Sequence, residues 1–180
     1  MKVLIGPYPG RRSKKDRKVS IRIDKYDSWS ADATLAMIAV PLLKQLKATK
    51  HGAPNVDHED VPAYLRPTKK QIAKYNETGH TDPKFFDRWD WIMFEMIWAL
   101  NEIAEGHPGE KQFHSGKSDW KFVPIDKDGK EVPEEGAEWF RMDKGPKDTY
   151  KLDKKGYTAY HARIQNGCRL FGKYFQSLWD

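Results

Sequence analysis

Apolar positions recur along this chain in more than one rhythm. Val19, Ile21 and Ile23 alternate with Lys18, Ser20 and Arg22, the period-two pattern of a half-buried strand. From Leu35 the interval changes, and Leu35, Ile38, Leu42 and Leu46 fall at helical spacing. Ser30 stands where an N-cap belongs and Asp32 in the first turn, while Lys44, Lys47 and Lys50 gather before Gly52. These signals predict a helix over 31–49, kinked at Pro41.

Residues 52–82, with Pro54, Pro62, Pro67 and Gly79, read as a connector holding one short helix near 68–75. Asp82 and Pro83 form an N-cap and first-position pair, and the apolar pattern after them predicts a helix over 83–105. The helical period is absent from 107–153. There WKFVPIDKDGKEVP, EWFRM and TYKLD predict a small antiparallel sheet with a turn at Asp128-Gly129. A last helix is expected over 155–178, with Tyr157, Tyr160, Ile164, Phe171, Phe175 and Leu178 on one stripe. The expected architecture is α+β in a single domain over 1–180, about three long packed helices beside a small antiparallel sheet.

The central helix is apolar on most of its circumference, as a buried helix must be. Its remaining face reads Asp87, Trp91, Glu95, Trp98, Glu102, acids alternating with tryptophans. A carboxylate between two indoles is costly to desolvate unless a cation or several donors meet it. Two readings follow. In one, Glu95 pairs with Arg163 on the last helix; in the other, Trp91 and Trp98 wall a pocket floored by Glu95, with Arg163, Gln165 and Asn166 as donors.

Charge sharpens the second reading. The net charge is +6, but residues 1–25 alone hold nine lysines and arginines against two aspartates, so the rest of the chain is close to neutral. Residues 1–18 read as a basic, loop-like N-terminal segment, and Arg22 and Lys25 lie just beyond it. A concentrated basic patch attracts phosphate, in a nucleotide or in nucleic acid. With one cysteine, Cys168, no disulfide can close within the chain. Without an apolar run of membrane-spanning length, the expectation is a soluble protein with no membrane partner.

Machinery for catalysis is hard to find. Glu102 and Glu105 form an ExxE pair of the kind that can hold Mg²⁺, but the last helix carries no acid to complete a two-helix site. The six histidines show no metal-ligand spacing, and Gly6 and Gly10 precede a strand, which is the wrong context for a phosphate loop. No catalytic residue, metal ligand or cofactor is assigned.

Three blocks, RWDWIMFEMIWAL, ARIQNGCRLFGKYFQSLWD and IRIDKYDSWSADATLAMIAVPLLKQLKATKHGAP, resemble a group of uncharacterised proteins of tailed bacteriophages, marine ones included. The resemblance implies an accessory phage product at work in the host bacterial cytoplasm and carries no activity or site residues with it. The leading expectation is a non-enzymatic protein that binds a phosphate-bearing nucleotide, sequestering a host defence signal, through Arg22, Lys25, Trp91, Glu95, Trp98, Arg163, Gln165 and Asn166. The alternatives are a single-stranded nucleic-acid binder, a Mg²⁺-dependent nucleotide hydrolase built on Glu102 and Glu105, and a host-protein interaction or structural protein that forms a homo-oligomer.

Overall fold

A computed structural model of the chain describes residues 1–7 and 16–179. The basic side chains Arg11, Arg12, Lys14 and Lys15 lie outside them. The architecture is α+β, and the chain divides into two compact units, Met1–His107 with Ile164–Asp180, and Pro108–Arg163.

In the first unit, strands β1 (Lys2–Ile5) and β2 (Val19–Arg22) form an antiparallel hairpin with Val3 opposite Ile21 and Ile5 opposite Val19. The segment expected to be loop-like therefore contains a strand. Val3 and Ile5 share the alternation of β2 and stand opposite its apolar residues, while the ladder continues past Ile5 with the Gly6 amide donating to the Lys18 carbonyl. The hairpin is not half-buried: Val19 and Ile21 are 57% and 59% exposed, because α1 faces its apolar residues across an open groove and does not close over them.

Helix α1 (Ala31–Thr49) matches its expected limits, although Ser30 makes no side-chain cap. Helix α2 (Lys69–Thr78) extends beyond its expected end. It is fixed by a capping box between Thr68 and Gln71 and by left-handed Gly79, so a cap at each end supplies what its weak apolar pattern lacks. Helix α3 (Phe85–Ala104) starts after Lys84 rather than at the Asp82-Pro83 pair. Asp82 still accepts the Lys84 amide at 3.0 Å, as an N-cap would, and it also accepts two hydrogen bonds from the Arg88 guanidinium, at 3.1 and 2.6 Å. Arg88 also donates to the Leu65 carbonyl, so a guanidinium that is only 3% exposed is matched by three acceptor contacts.

The core of this unit joins Ala36, Val40 and Leu43 of α1 to Trp89, Ile92, Met93 and Met96 of α3, with Leu170 and Tyr174 completing it. Lys47 and Lys50 reach Asp90 at 2.7 and 2.8 Å, tying α1 to α3 at its rim. Helix α4 (Lys154–Lys173) contributes its C-terminal half here. It meets α3 at Gly167, where a Cβ would collide with Ala99 and stand 2.7 Å from the Glu95 carbonyl oxygen.

A buried acid secures the connector to the same helix. Asp60 accepts from Arg169 at 2.7 Å, Lys173 at 2.6 Å and the Tyr174 hydroxyl at 2.7 Å, and Lys173 also bridges to Asp57. Burial alone would raise the Asp60 carboxyl, but these three donors hold it below the ordinary aspartate value. The Tyr174 phenol is pushed up to about 12 by its burial and by the carboxylate it serves.

The second unit is a ribbon with the N-terminal half of α4. Strands β3 (His114–Ser115) and β6 (Lys151–Leu152) pair at its base, and β4 (Trp120–Ile125) and β5 (Trp139–Lys144) pair further along. Between them Gly145 and Thr149 donate backbone hydrogen bonds to the carbonyls of Asp119 and Lys117. The small sheet expected over 107–153 is thus two separate two-stranded pairs, and β1–β2 of the first unit is a third. Beyond β4 the turn forms at Asp128-Gly129, with Gly129 at φ +79° and the Asp126 carboxylate accepting from two backbone amides.

Candidate functional site

The sequence-derived site residues fall in several settings. Arg22 is exposed on β2, on the face of the hairpin that also carries Lys2. Lys25 follows in the turn before α1, its ammonium 4.9 Å from the centre of the Tyr26 ring. On α3 the alternating face runs from solvent inward: Asp87 is exposed, Trp91 and Trp98 are half-buried, and Glu95 is 6% exposed. Trp91 packs against the hydrophobic core, so its ring contributes to the fold. Arg163 and Gln165 are exposed on α4. Asn166 is committed locally, its side-chain oxygen accepting two hydrogen bonds from Arg169 at 3.0 and 2.9 Å. Of the acids weighed for Mg²⁺, Glu105 accepts from Asn101 at 2.8 Å. No group of three metal-ligating side chains occurs among the described residues.

A small cavity in the first unit lies between α2 and α3, under the stacked rings of Tyr75 and Phe85, whose centres are 6.3 Å apart. Asn55, His58, Gln71 and Asn76 give it a polar lining, and its volume is about 70 Å³. That is room for a few waters at about 30 Å³ each, far less than a nucleotide needs.

The second unit carries a different kind of surface, one that the order of residues along the chain does not mark. In the β4–β5 ribbon, register places Trp120, Phe122 and Pro124 opposite Lys144, Met142 and Phe140. Side chains directly opposite across an antiparallel pair share a face, and alternate residues along a strand do too. One face of the ribbon is therefore Trp120, Phe122, Pro124, Phe140 and Met142, ending on Lys144. The large side chains on it remain in solvent, with Phe122 64%, Met142 54%, Phe140 49% and Trp120 47% exposed.

The other face explains how so short a ribbon keeps its shape. There Val123 is buried, and opposite it Arg141 forks onto both oxygens of Asp143, at 2.8 and 2.9 Å, and reaches Glu131 at 2.9 Å. At the base of the ribbon the loops lock together. Asp119 accepts from the Lys147 amide at 2.9 Å, and Gly116, at φ +76°, approaches the Thr149 backbone more closely than any side chain would permit.

Below this base sits a cluster of ionisable rings. His114 Nδ1 lies 2.7 Å from the Tyr150 hydroxyl, and His161 Nε2 lies 3.2 Å from Glu110. Tyr157 packs at a tilt against His161, with ring centres 4.4 Å and planes 51° apart. Its phenol is held above the ordinary value because its hydroxyl donates to the Glu110 carboxylate. The spacing Tyr157, Tyr160, His161 on a helix was a usable signal, but the partners Glu110, His114 and Tyr150 are distant in sequence.

What this unit can do chemically is offer flat faces. Four planar rings stand free on or beside the ribbon, counting Trp139, which is 61% exposed next to the turn. Ammonium groups at Lys117, Lys121, Lys144 and Lys147 lie on the ribbon or its connecting loops. Comparison of the chain with protein-family models, with curated proteins and with solved structures finds no match in any of the three.

Proposed function

We propose that this protein binds single-stranded nucleic acid, with the β4–β5 ribbon as its stacking platform, and serves as a phage accessory protein in the host bacterial cytoplasm. The observation that carries the reading is the exposed row Trp120, Phe122, Phe140 and Met142 on one face of a ribbon whose other face is tied by ion pairs. Contiguous apolar surface of this kind is kept in water when a partner uses it. Bases stack on such rings whatever their sequence, and nearby cations follow the backbone.

A strand is favoured over a free nucleotide by shape. A nucleotide signal is held between walls, whereas the ribbon offers its rings side by side in the open. Sequestration of a nucleotide signal is the reading that the Trp91, Glu95 and Trp98 face of α3 would serve, and the same titration distinguishes the two.

The test is fluorescence titration of the full chain with oligothymidylate and, separately, with mononucleotides and cyclic dinucleotides. Tryptophan quenching by the oligonucleotide alone is expected. Each stacked base contributes about 1–3 kcal/mol, so Trp120→Ala with Phe122→Ala should weaken binding by about tenfold or more. Binding that ignores this double substitution, or quenching by free nucleotides alone, would overturn the platform.

A further inference from the structure

The first unit has an exposed apolar surface of its own, separate from the ribbon. One groove of about 520 Å³ lies between α1, α3 and the C-terminal residues, bordered by Leu35, Leu42, Ile103, Phe171 and Phe175. A second, of about 410 Å³, lies between α1 and the β1–β2 hairpin, bordered by Val3, Ile5, Ile21 and Ile23. Leu35 and Ile38 line both. They form, with Leu42 one turn further on, an apolar ridge standing between two apolar grooves.

This ridge does not belong to the core. The inward face of α1 is Ala36, Val40 and Leu43, all nearly inaccessible, while Leu35 is 65% and Leu42 68% exposed. Helix α1 is therefore apolar on two sides, and only one side is covered. Next in the chain to Ser28, which lines the smaller groove, Trp29 is 90% exposed, although a tryptophan contributes most to binding when it is desolvated.

We propose that these grooves receive the same surface of a second copy of this chain, forming a two-fold symmetric dimer. Two features single out this occupant. The face holds ridge and groove together, which is what a two-fold interface requires, since each copy must offer the surface that it accepts. Its extent also fits: the exposed side chains of Leu35, Ile38, Leu42, Ile5, Ile21, Ile23 and Phe175, all lining one groove or the other, together present an area on the order of the ~800 Å² per partner that a stable interface buries. Ridge packs into groove at helix–helix spacing. Among the described residues Asp32 is the one charged side chain lining the larger groove, so the interface has to leave its carboxylate at the solvent edge.

Sedimentation equilibrium of the full chain over a range of micromolar concentrations tests this directly. The chain is expected at twice its 21.0 kDa mass, and Leu35→Glu with Leu42→Glu is expected to return it to the monomer with an unchanged circular dichroism spectrum. Both positions face solvent in the single chain, so the fold does not depend on them. If the double variant loses its fold, Trp29→Ala serves in its place, with a weaker dimer expected. A wild-type chain that stays monomeric throughout, or a dimer indifferent to these substitutions, would overturn the proposal. Oligonucleotide titration of the same variants keeps the two proposals apart, because the dimer surface and the ribbon share no residue.

Discussion

At Asp60 a single carboxylate determines how the connector is held. Its folded pKa lies below the ordinary value, so the stability it contributes is complete above the unfolded value, near 4, and is lost as pH falls through the folded one. Asp60→Asn should cost about 2 kcal/mol at neutral pH, from weakened charge-assisted hydrogen bonds. The variant should also show a shallower loss of stability than the wild type on acidification below about pH 4. Urea unfolding midpoints measured across that range provide the check, and parallel curves would exclude Asp60 as the titrating group. Gly167 makes the opposite kind of prediction. A methyl group there meets Ala99 and the Glu95 carbonyl oxygen, so Gly167→Ala should destabilise by about 1–3 kcal/mol through overpacking, despite alanine's better helix propensity. A variant as stable as the parent would show that the two helices can move apart freely.

Among the elements, α2 is the one whose existence rests on its ends. It buries no residue fully, so local interactions supply most of what holds it. Thr68→Ala removes the capping box at a cost of about 1 kcal/mol, and faster amide exchange confined to 69–78 is the expected readout; uniform acceleration would instead indicate a global effect. The long helices were legible because α1, α3 and α4 carry sustained 3.6-residue periodicity over many turns. What could not be read was which side of each apolar element is covered. Val19 and Ile21 alternate as if half-buried and stay exposed, and Leu35 and Leu42 keep helical spacing on a face that opens onto a groove and stays in solvent. Periodicity reports that a face is apolar, and only the chain's path decides what meets it. The ribbon was legible as strands and invisible as a platform, because the sharing of one face by Trp120, Phe122, Phe140 and Met142 depends on register. Glu95 was the reverse case: the sequence marked it as an anomaly, and the structure gives it a buried place in the helix turn that meets Gly167 of α4.

For the whole molecule, charge and association are linked. The lysines around the ribbon are few, so affinity for a single strand should fall with salt on a gentle slope, about −0.7 per phosphate contacted, and a titration repeated at several salt concentrations would measure it. A slope as steep as that of an extended basic surface would move the principal contact away from the ribbon. A dimer carries two ribbons, and a strand long enough to engage both would be held more tightly than the sum of its contacts implies. No helix among the described residues is long and apolar enough to cross a membrane.

The chain's only thiol turns the larger groove into its own gauge. Cys168 lines that groove and is half-buried there, and burial pushes its pKa above the ordinary cysteine value. At neutral pH it is therefore a slow nucleophile, and its rate of alkylation is set by how often reagent can enter. Whatever fills the groove should protect this sulfur in proportion to its occupancy, so labelling kinetics on the unmodified protein would time the coming and going of the groove's occupant.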